Sequence, residues 1–88
     1  MRPLRILHVI CSLQPGGAEH GLVKLICSLT PPQFRHAVLC IQTAGPLANH
    51  LPAHVPVSIA HTVNPLRAGL DVAELAQRFR PDVIHSLN

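Results

Sequence analysis

The sequence of 88 residues has few aromatic and few charged side chains. Phe34 and Phe79 are its only members of the Phe, Tyr and Trp group, and charged residues make up 12% of the chain against 48% hydrophobic residues. The core must therefore be aliphatic, and so much apolar sequence excludes an intrinsically disordered chain. The seven lysines and arginines are scattered. They form neither the basic stripe nor the stacking platform that nucleic-acid binding needs, so we expect no nucleic-acid partner.

Cysteine pairing and metal-ligand spacing are also missing. Cys11, Cys27 and Cys40 leave an odd thiol and form no C-x-x-C motif. Each lies in an apolar stretch, so we expect buried, reduced thiols and a cytoplasmic setting. His50 and His54 are four residues apart, but a proline between them opposes a continuous helix and no cysteine joins them. We therefore expect no metal and no cofactor.

No apolar run approaches the roughly 20 residues that cross a bilayer. The N-terminal stretch "MRPLRILHVICSL" has the basic start and apolar centre of a secretion signal. However, His8 interrupts the apolar run and no small-x-small cleavage site follows it. The sequence therefore predicts neither a transmembrane segment nor export.

Strands and helices alternate along the chain. Four apolar runs predict β-strands at Leu4–Cys11, His36–Ile41, Val55–Ala60 and Asp82–Ser86. A helix is expected from Ala18, with a buried stripe of Leu22, Leu25, Ile26 and Leu29, and a short helix within "GPLANHL". A further helix is expected to be capped by Asp71, with Glu74 at the capping-box position and a stripe of Val72, Leu75, Ala76 and Phe79.

This alternation predicts an α/β protein with a Rossmann-like parallel sheet. Right-handed crossovers give the strand order 3-2-1-4 with helices on both faces. The fourth strand would then have one unpaired edge, and doubly wound sheets continue with further strands. We therefore expect residues 1–88 to be the incomplete first half of a doubly wound domain.

Two glycines follow the first strand, in the loop Ser12–Gly17. In parallel sheets, ligands bind at the carboxyl ends of the strands where the strand order reverses, and this loop leaves the first strand there. Gly16 and Gly17 would let the backbone approach a phosphate at the start of the next helix, and a side chain at Gly17 would strain the turn and block that approach. A tight turn with no ligand explains the spacing equally well. Glu19 in the first helical turn favours the helix N-terminus but competes with a bound phosphate.

The segments "RILHVICSLQPGGAEHGLVKLICSL", "FRHAVLCI", "GPLANHL", "VPVSIAH" and "RPDVIHSLN" together resemble a known family. In this order they are similar to the N-terminal, acceptor-side domain of family-4-type retaining glycosyltransferases with the GT-B fold. The resemblance covers essentially the whole chain. It implies a transferase that moves a sugar from a nucleotide diphospho-sugar to an acceptor hydroxyl in polysaccharide or glycolipid synthesis.

The resemblance also implies roles for particular residues. Gly16 and Gly17 match the loop that lies against the donor's phosphates and sugar. His85 and Asn88 match the end of the strand that opens onto the acceptor cleft, whereas Leu87 stands where many members have a histidine. The partners implied are a nucleotide-sugar donor and a glycan or lipid acceptor, with peripheral membrane association of the complete enzyme and no metal. The family's active-site histidine would lie beyond Asn88, so no catalytic residue is expected within this chain.

Two other functions remain open from the sequence. The chain could be a non-catalytic binding protein or an incomplete gene product, or a small flavodoxin-like module that binds a phosphate or nucleotide. Under the glycosyltransferase hypothesis, we expect the 88 residues alone to be inactive. We also expect them to self-associate through Val83 and Ile84 on an unpaired edge strand.

Overall fold

The computed structural model describes residues 2–60 and 64–87 and shows an α/β fold. Its strands are β1 (Leu4–Ser12), β2 (Phe34–Thr43), β3 (Val57–Ile59) and β4 (Val83–Ser86). Its helices are α1 (Gly17–Ser28), a short 3-10 helix (Pro46–His50) and α2 (Pro65–Phe79). All of the elements predicted from the sequence are present.

The four strands form one parallel sheet in the order β3-β2-β1-β4, which confirms the predicted topology. Helix α1 packs Leu22 and Ile26 against one face of the sheet, here called the α1 face. Helix α2 packs Leu75 against Leu7 and Leu39 on the other face, the α2 face. Side chains alternate between the faces of a strand, so the continuous apolar runs of β1 and β2 supply both cores.

Helix α2 begins six residues before the predicted cap, so the prediction of a cap at Asp71 is wrong. The Asn64 side chain is the N-cap and accepts a hydrogen bond of 3.0 Å from the Leu66 main-chain N–H. Pro65 follows at the first helical position, which its fixed φ favours. Asn64, followed by Pro65, therefore caps the helix in place of Asp71. The helix ends at Arg80, whose φ of 56° is left-handed.

Two of the three cysteines are not buried as expected. Cys40 is fully buried on the α1 face, and burial raises its pKa to about 11. Cys11 and Cys27 are exposed. Cys11 lies where the β1–β2 register shifts, and the Cys27 Sγ lies 3.8 Å from the carbonyl oxygen of His50 in the 3-10 helix. The buried face of α1 is also narrower than predicted, since Leu25 is 38% exposed.

Strand β4 lies at one edge of the sheet, where Val83 and Ile84 are exposed. Its start is fixed to β1 by Asp82, whose carboxylate accepts a hydrogen bond of 2.9 Å from the Arg5 main-chain N–H and pairs with the Arg2 guanidinium. These two donors hold the pKa of Asp82 below its usual value. None of the helices in the described part of the chain is long and apolar enough to cross a membrane.

Candidate functional site at the glycine loop and the histidine chain

The glycine loop, residues 13–16, joins the carboxyl end of β1 to the start of α1. Strand β1 has β2 on one side and β4 on the other, so the loop leaves the sheet where the strand order reverses. Gly16 is the N-cap of α1 and Gly17 is its first residue. The first main-chain N–H groups of a helix have no partner within the helix and carry partial positive charge, so this position suits an anion.

Neither Gly16 nor Gly17 is required by the backbone conformation. Gly16 has an extended conformation with φ −175°, which any residue adopts. A Cβ atom on Gly16 would come within 2.9 Å of one group only, the flexible Glu19 carboxylate. A Cβ atom on Gly17 would meet nothing within 4 Å. The expectation that a side chain at Gly17 strains the turn is therefore wrong.

Gly45, in the loop after β2, behaves in the opposite way. Its φ of 74° is in the region that favours glycine, and a Cβ atom there would lie 2.7 Å from the carbonyl carbon of Leu13. Leu13 is fully buried, and its main-chain N–H donates to the Ala44 carbonyl at 2.7 Å. Gly45 is therefore the glycine that the fold needs, because it lets the loop after β2 pack on the base of the glycine loop.

The Glu19 carboxylate lies over the start of α1. It is the only acidic group in the first turn, and the N-cap Gly16 has no side chain to accept a hydrogen bond. A carboxylate here is favourable to the partial positive charge of the helix start. It also lies close to Gly16, so it would compete with an anion bound at the start of the helix.

Three histidines on the α1 face form a continuous hydrogen-bonded chain across β4, β1 and β2. His8 Nδ1 lies 3.2 Å from His85 Nδ1, and His8 Nε2 lies 2.9 Å from His36 Nδ1. His36 Nε2 lies 2.6 Å from the carbonyl oxygen of Leu29, just after the end of α1. His8 is fully buried, His36 nearly so, and His85 is half-buried.

The Leu29 carbonyl sets the direction of every hydrogen bond in this histidine chain. A carbonyl oxygen only accepts, so His36 Nε2 carries a proton. In a neutral ring His36 Nδ1 then accepts from His8 Nε2–H, and His8 Nδ1 accepts in turn from His85 Nδ1–H. His85 is thereby assigned as the Nδ1–H tautomer, which leaves the lone pair of its Nε2 to accept a proton or a hydrogen bond.

Burial, together with the neighbouring His36 and His85, lowers the pKa of His8 from 6.5 to about 4. His8 is therefore neutral near pH 7, as the directed chain requires. Among the described residues, no group of three or more His, Cys, Asp or Glu side chains is arranged to hold a metal ion. In the histidine chain, the facing ring nitrogens bond to each other instead.

The structure places the predicted site residues in two separate positions. Gly16 and Gly17 lie beyond the carboxyl end of β1, whereas His85 pairs with His8, four residues before that end. Asn88 lies outside the described residues. His8 and His36 were not among the predicted site residues, although a signal existed in the sequence. Each of three predicted strands carries a histidine, and the predicted order 3-2-1-4 makes those strands neighbours.

The fold and the site together define an α/β protein with a Rossmann-like parallel half-sheet and a glycine loop at its switch point. No protein-family model, curated protein or solved structure matches the chain.

Proposed function

We propose that this chain is the acceptor-side part of a glycosyltransferase that moves a sugar from a nucleotide diphospho-sugar to an acceptor hydroxyl. The observation that carries the proposal is the pair Gly16 and Gly17. Two adjacent glycines stand at the switch point of a parallel sheet, and neither is needed for the backbone conformation. Close approach of a ligand to the main chain would explain why both residues are glycine.

In this proposal the start of α1 stabilises the leaving diphosphate. Negative charge develops on the diphosphate as its bond to the sugar breaks, and the main-chain N–H groups after Gly16 point toward that position. Without a Cβ atom at Gly17 the phosphate oxygens reach these N–H groups directly. The Glu19 carboxylate moves aside when the donor binds. The loop contacts the diphosphate and the sugar directly, and the family resemblance implies a second domain that adds contacts to the nucleotide.

His85 is proposed to accept a hydrogen bond from a hydroxyl of the glycan or lipid acceptor. Its Nε2 keeps a lone pair because the chain through His8 and His36 fixes the proton on Nδ1. His85 is thus a residue that positions the acceptor, and the chemistry of transfer is not assigned to it. A cytoplasmic location, where nucleotide sugars are made, belongs to the same proposal.

The test is a titration of the ¹⁵N-labelled chain with a panel of nucleotide diphospho-sugars, followed by amide NMR. We expect the amides of Gly16, Gly17 and Ala18 to shift in a saturable way with at least one member of the panel. The amide of Gly21, one turn further along α1, serves as the internal control and should move little.

Two results would contradict the proposal. One is the absence of shifts in the loop with every nucleotide sugar tested. The other is an identical response to inorganic pyrophosphate and to the nucleoside diphosphate without its sugar, because a simple phosphate-binding module predicts that the sugar contributes nothing.

A further inference from the structure

Two arginines stand side by side at the amino edge of the sheet. Arg5 of β1 and Arg35 of β2 are paired in the parallel register, close to the first residue of each strand. Like charges on directly paired residues of neighbouring strands are unfavourable. The Asp82 carboxylate lies near Arg5 at this edge, whereas no acidic group among the described residues pairs with Arg35.

The Arg5 side chain is held in place but lacks an acceptor. Its guanidinium carbon lies 5.4 Å from the centroid of the Phe79 ring, which supports the plane of the group. Its Nε atom is buried and has no hydrogen-bond partner within the described part of the chain. A buried N–H without an acceptor is costly and rare in native proteins, so a shift of the Arg5 side chain toward an acceptor in the neighbouring space would be stabilising.

None of the four acidic residues fills this need. Asp82 is the acid beside Arg5, but its carboxylate is taken by the Arg2 side chain and by the Arg5 main-chain N–H. Glu19 lies at the start of α1, at the opposite edge of the sheet. Asp71 and Glu74 line a separate cleft together with Arg67 and Arg78.

The two arginines open into a cleft of about 430 Å³. Its other walls include Pro31, His36, His54, Pro56 and Phe79, and no acidic residue in the described part of the chain lines it. Every one of these residues precedes a strand or lies near the beginning of one, so the cleft is at the amino edge. It is therefore distinct from the glycine loop at the carboxyl edge.

We propose that this cleft binds a phosphate-bearing anion between Arg5 and Arg35. Two guanidinium groups match the charge of a phosphate dianion, and their planar donors suit its oxygens. The guanidinium groups of Arg5 and Arg35 donate to the phosphate oxygens, and His54 lines the same cleft. Phe79 and the two prolines contact the apolar part of the ligand. A phosphorylated metabolite and the headgroup of an acidic phospholipid share this chemistry.

The experiment titrates the chain with inorganic phosphate while the Arg5 Nε–H resonance is followed by ¹⁵N NMR. We expect this resonance to shift in a saturable way and the melting temperature to rise, because a ligand that binds only the folded state stabilises it. Arg35→Gln should weaken phosphate binding about tenfold. Arg67→Gln is the matched control, since it removes one arginine from the other cleft, and it should leave the affinity unchanged.

The sign of the stability change separates binding from a structural role. Without phosphate, Arg35→Gln should melt at or above the temperature of the unmodified chain, because it removes the repulsion. With phosphate, it should lose the rise in melting temperature. An Arg5 Nε–H resonance that does not respond to phosphate, or an Arg35→Gln variant that melts lower without phosphate and keeps its affinity, would overturn the proposal.

Vesicles identify the source of the phosphate group. Saturable binding of a soluble phosphomonoester, with equal co-sedimentation on phosphatidylcholine vesicles with and without phosphatidic acid, supports a metabolite. Co-sedimentation that needs phosphatidic acid and is lost in Arg35→Gln supports a lipid headgroup. Co-sedimentation that Arg35→Gln and Arg67→Gln reduce equally would contradict a site at this cleft, because it would reflect total charge alone.

Discussion

The loops after β1 and β2 both contain glycine at the carboxyl edge of the sheet, but for different reasons. Gly45, after β2, has a left-handed φ of 74° and no room for a Cβ atom against the Leu13 main chain. Gly17, after β1, has open space around it and stands at the first position of a helix. The fold explains the first glycine and leaves the second unexplained, so the second is the better indicator of a ligand.

A glycine in a turn of the sequence can be required by the backbone or can be free of any backbone strain. A glycine next to a proline or another glycine predicts a turn in either case. Only the conformation and the space around each residue show whether glycine is required.

The largest effect is expected for Gly45→Ala. The substitution forces a left-handed φ on alanine and drives its methyl group into the Leu13 backbone, and such strain costs about 3 kcal/mol. Urea denaturation measures the change in the free energy of unfolding. Gly69→Ala in α2, where a Cβ atom meets nothing within 4 Å, is the control and should be neutral or stabilising. Equal stability of the two variants would show that Gly45 is not the structural glycine.

Acid should have the next largest effect on the free energy of unfolding. His8 in the folded chain has a pKa of about 4, below its ordinary value of 6.5. Between these values the unfolded chain binds a proton that the folded chain does not, so stability falls as the pH falls from 6.5 toward 4. These two pKa values correspond to a loss of up to about 3 kcal/mol at pH 4.

Urea denaturation at a series of pH values measures this acid effect. His8→Gln should flatten the dependence between pH 6.5 and 4, whereas His20→Gln on the exposed side of α1 should preserve it. A dependence that His8→Gln leaves intact would assign the acid sensitivity to another group.

A smaller effect is expected for Glu19→Gln. Removing the carboxylate from the first turn of α1 should cost about 0.5 kcal/mol of stability, because it loses a favourable interaction with the helix start. The same change should strengthen the binding of a nucleotide diphospho-sugar, since the neutral side chain no longer competes with phosphate. Denaturation and calorimetric titration measure the two effects. Weaker binding in Glu19→Gln would show that this carboxylate contacts the donor directly.

Most of the fold could be predicted from the sequence, because hydrophobic periodicity decides it. The buried runs of β1 and β2, the stripe of α2 and the alternation of strands with helices fix the parallel order 3-2-1-4. The start of α2 could not be predicted in the same way. Both Asn64 and Asp71 are good N-caps, and the sequence pattern alone does not select between them.

The site could be predicted less completely. The sequence located Gly16 and Gly17 at the end of β1, but it could not show that neither is under backbone strain, which depends on φ and on neighbouring atoms. The sequence likewise indicated His85 as a site residue, but it did not predict the contacts of His85 with other histidines. The contact between His8 and His36 joins residues that are 28 positions apart, and it depends on the register of two strands.

The most direct test of the account compares Gly17→Val with Gly21→Val. Both substitutions place the same side chain on α1 where a Cβ atom meets nothing within 4 Å, but only Gly17 lies at the ligand edge. We expect each variant to unfold within about 0.5 kcal/mol of the unmodified chain. We also expect Gly17→Val to lose at least about tenfold in affinity for the nucleotide sugar that shifts the loop amides, while Gly21→Val keeps it. Equal affinity in the two variants would contradict the claim that glycine at position 17 allows a ligand to approach the main chain.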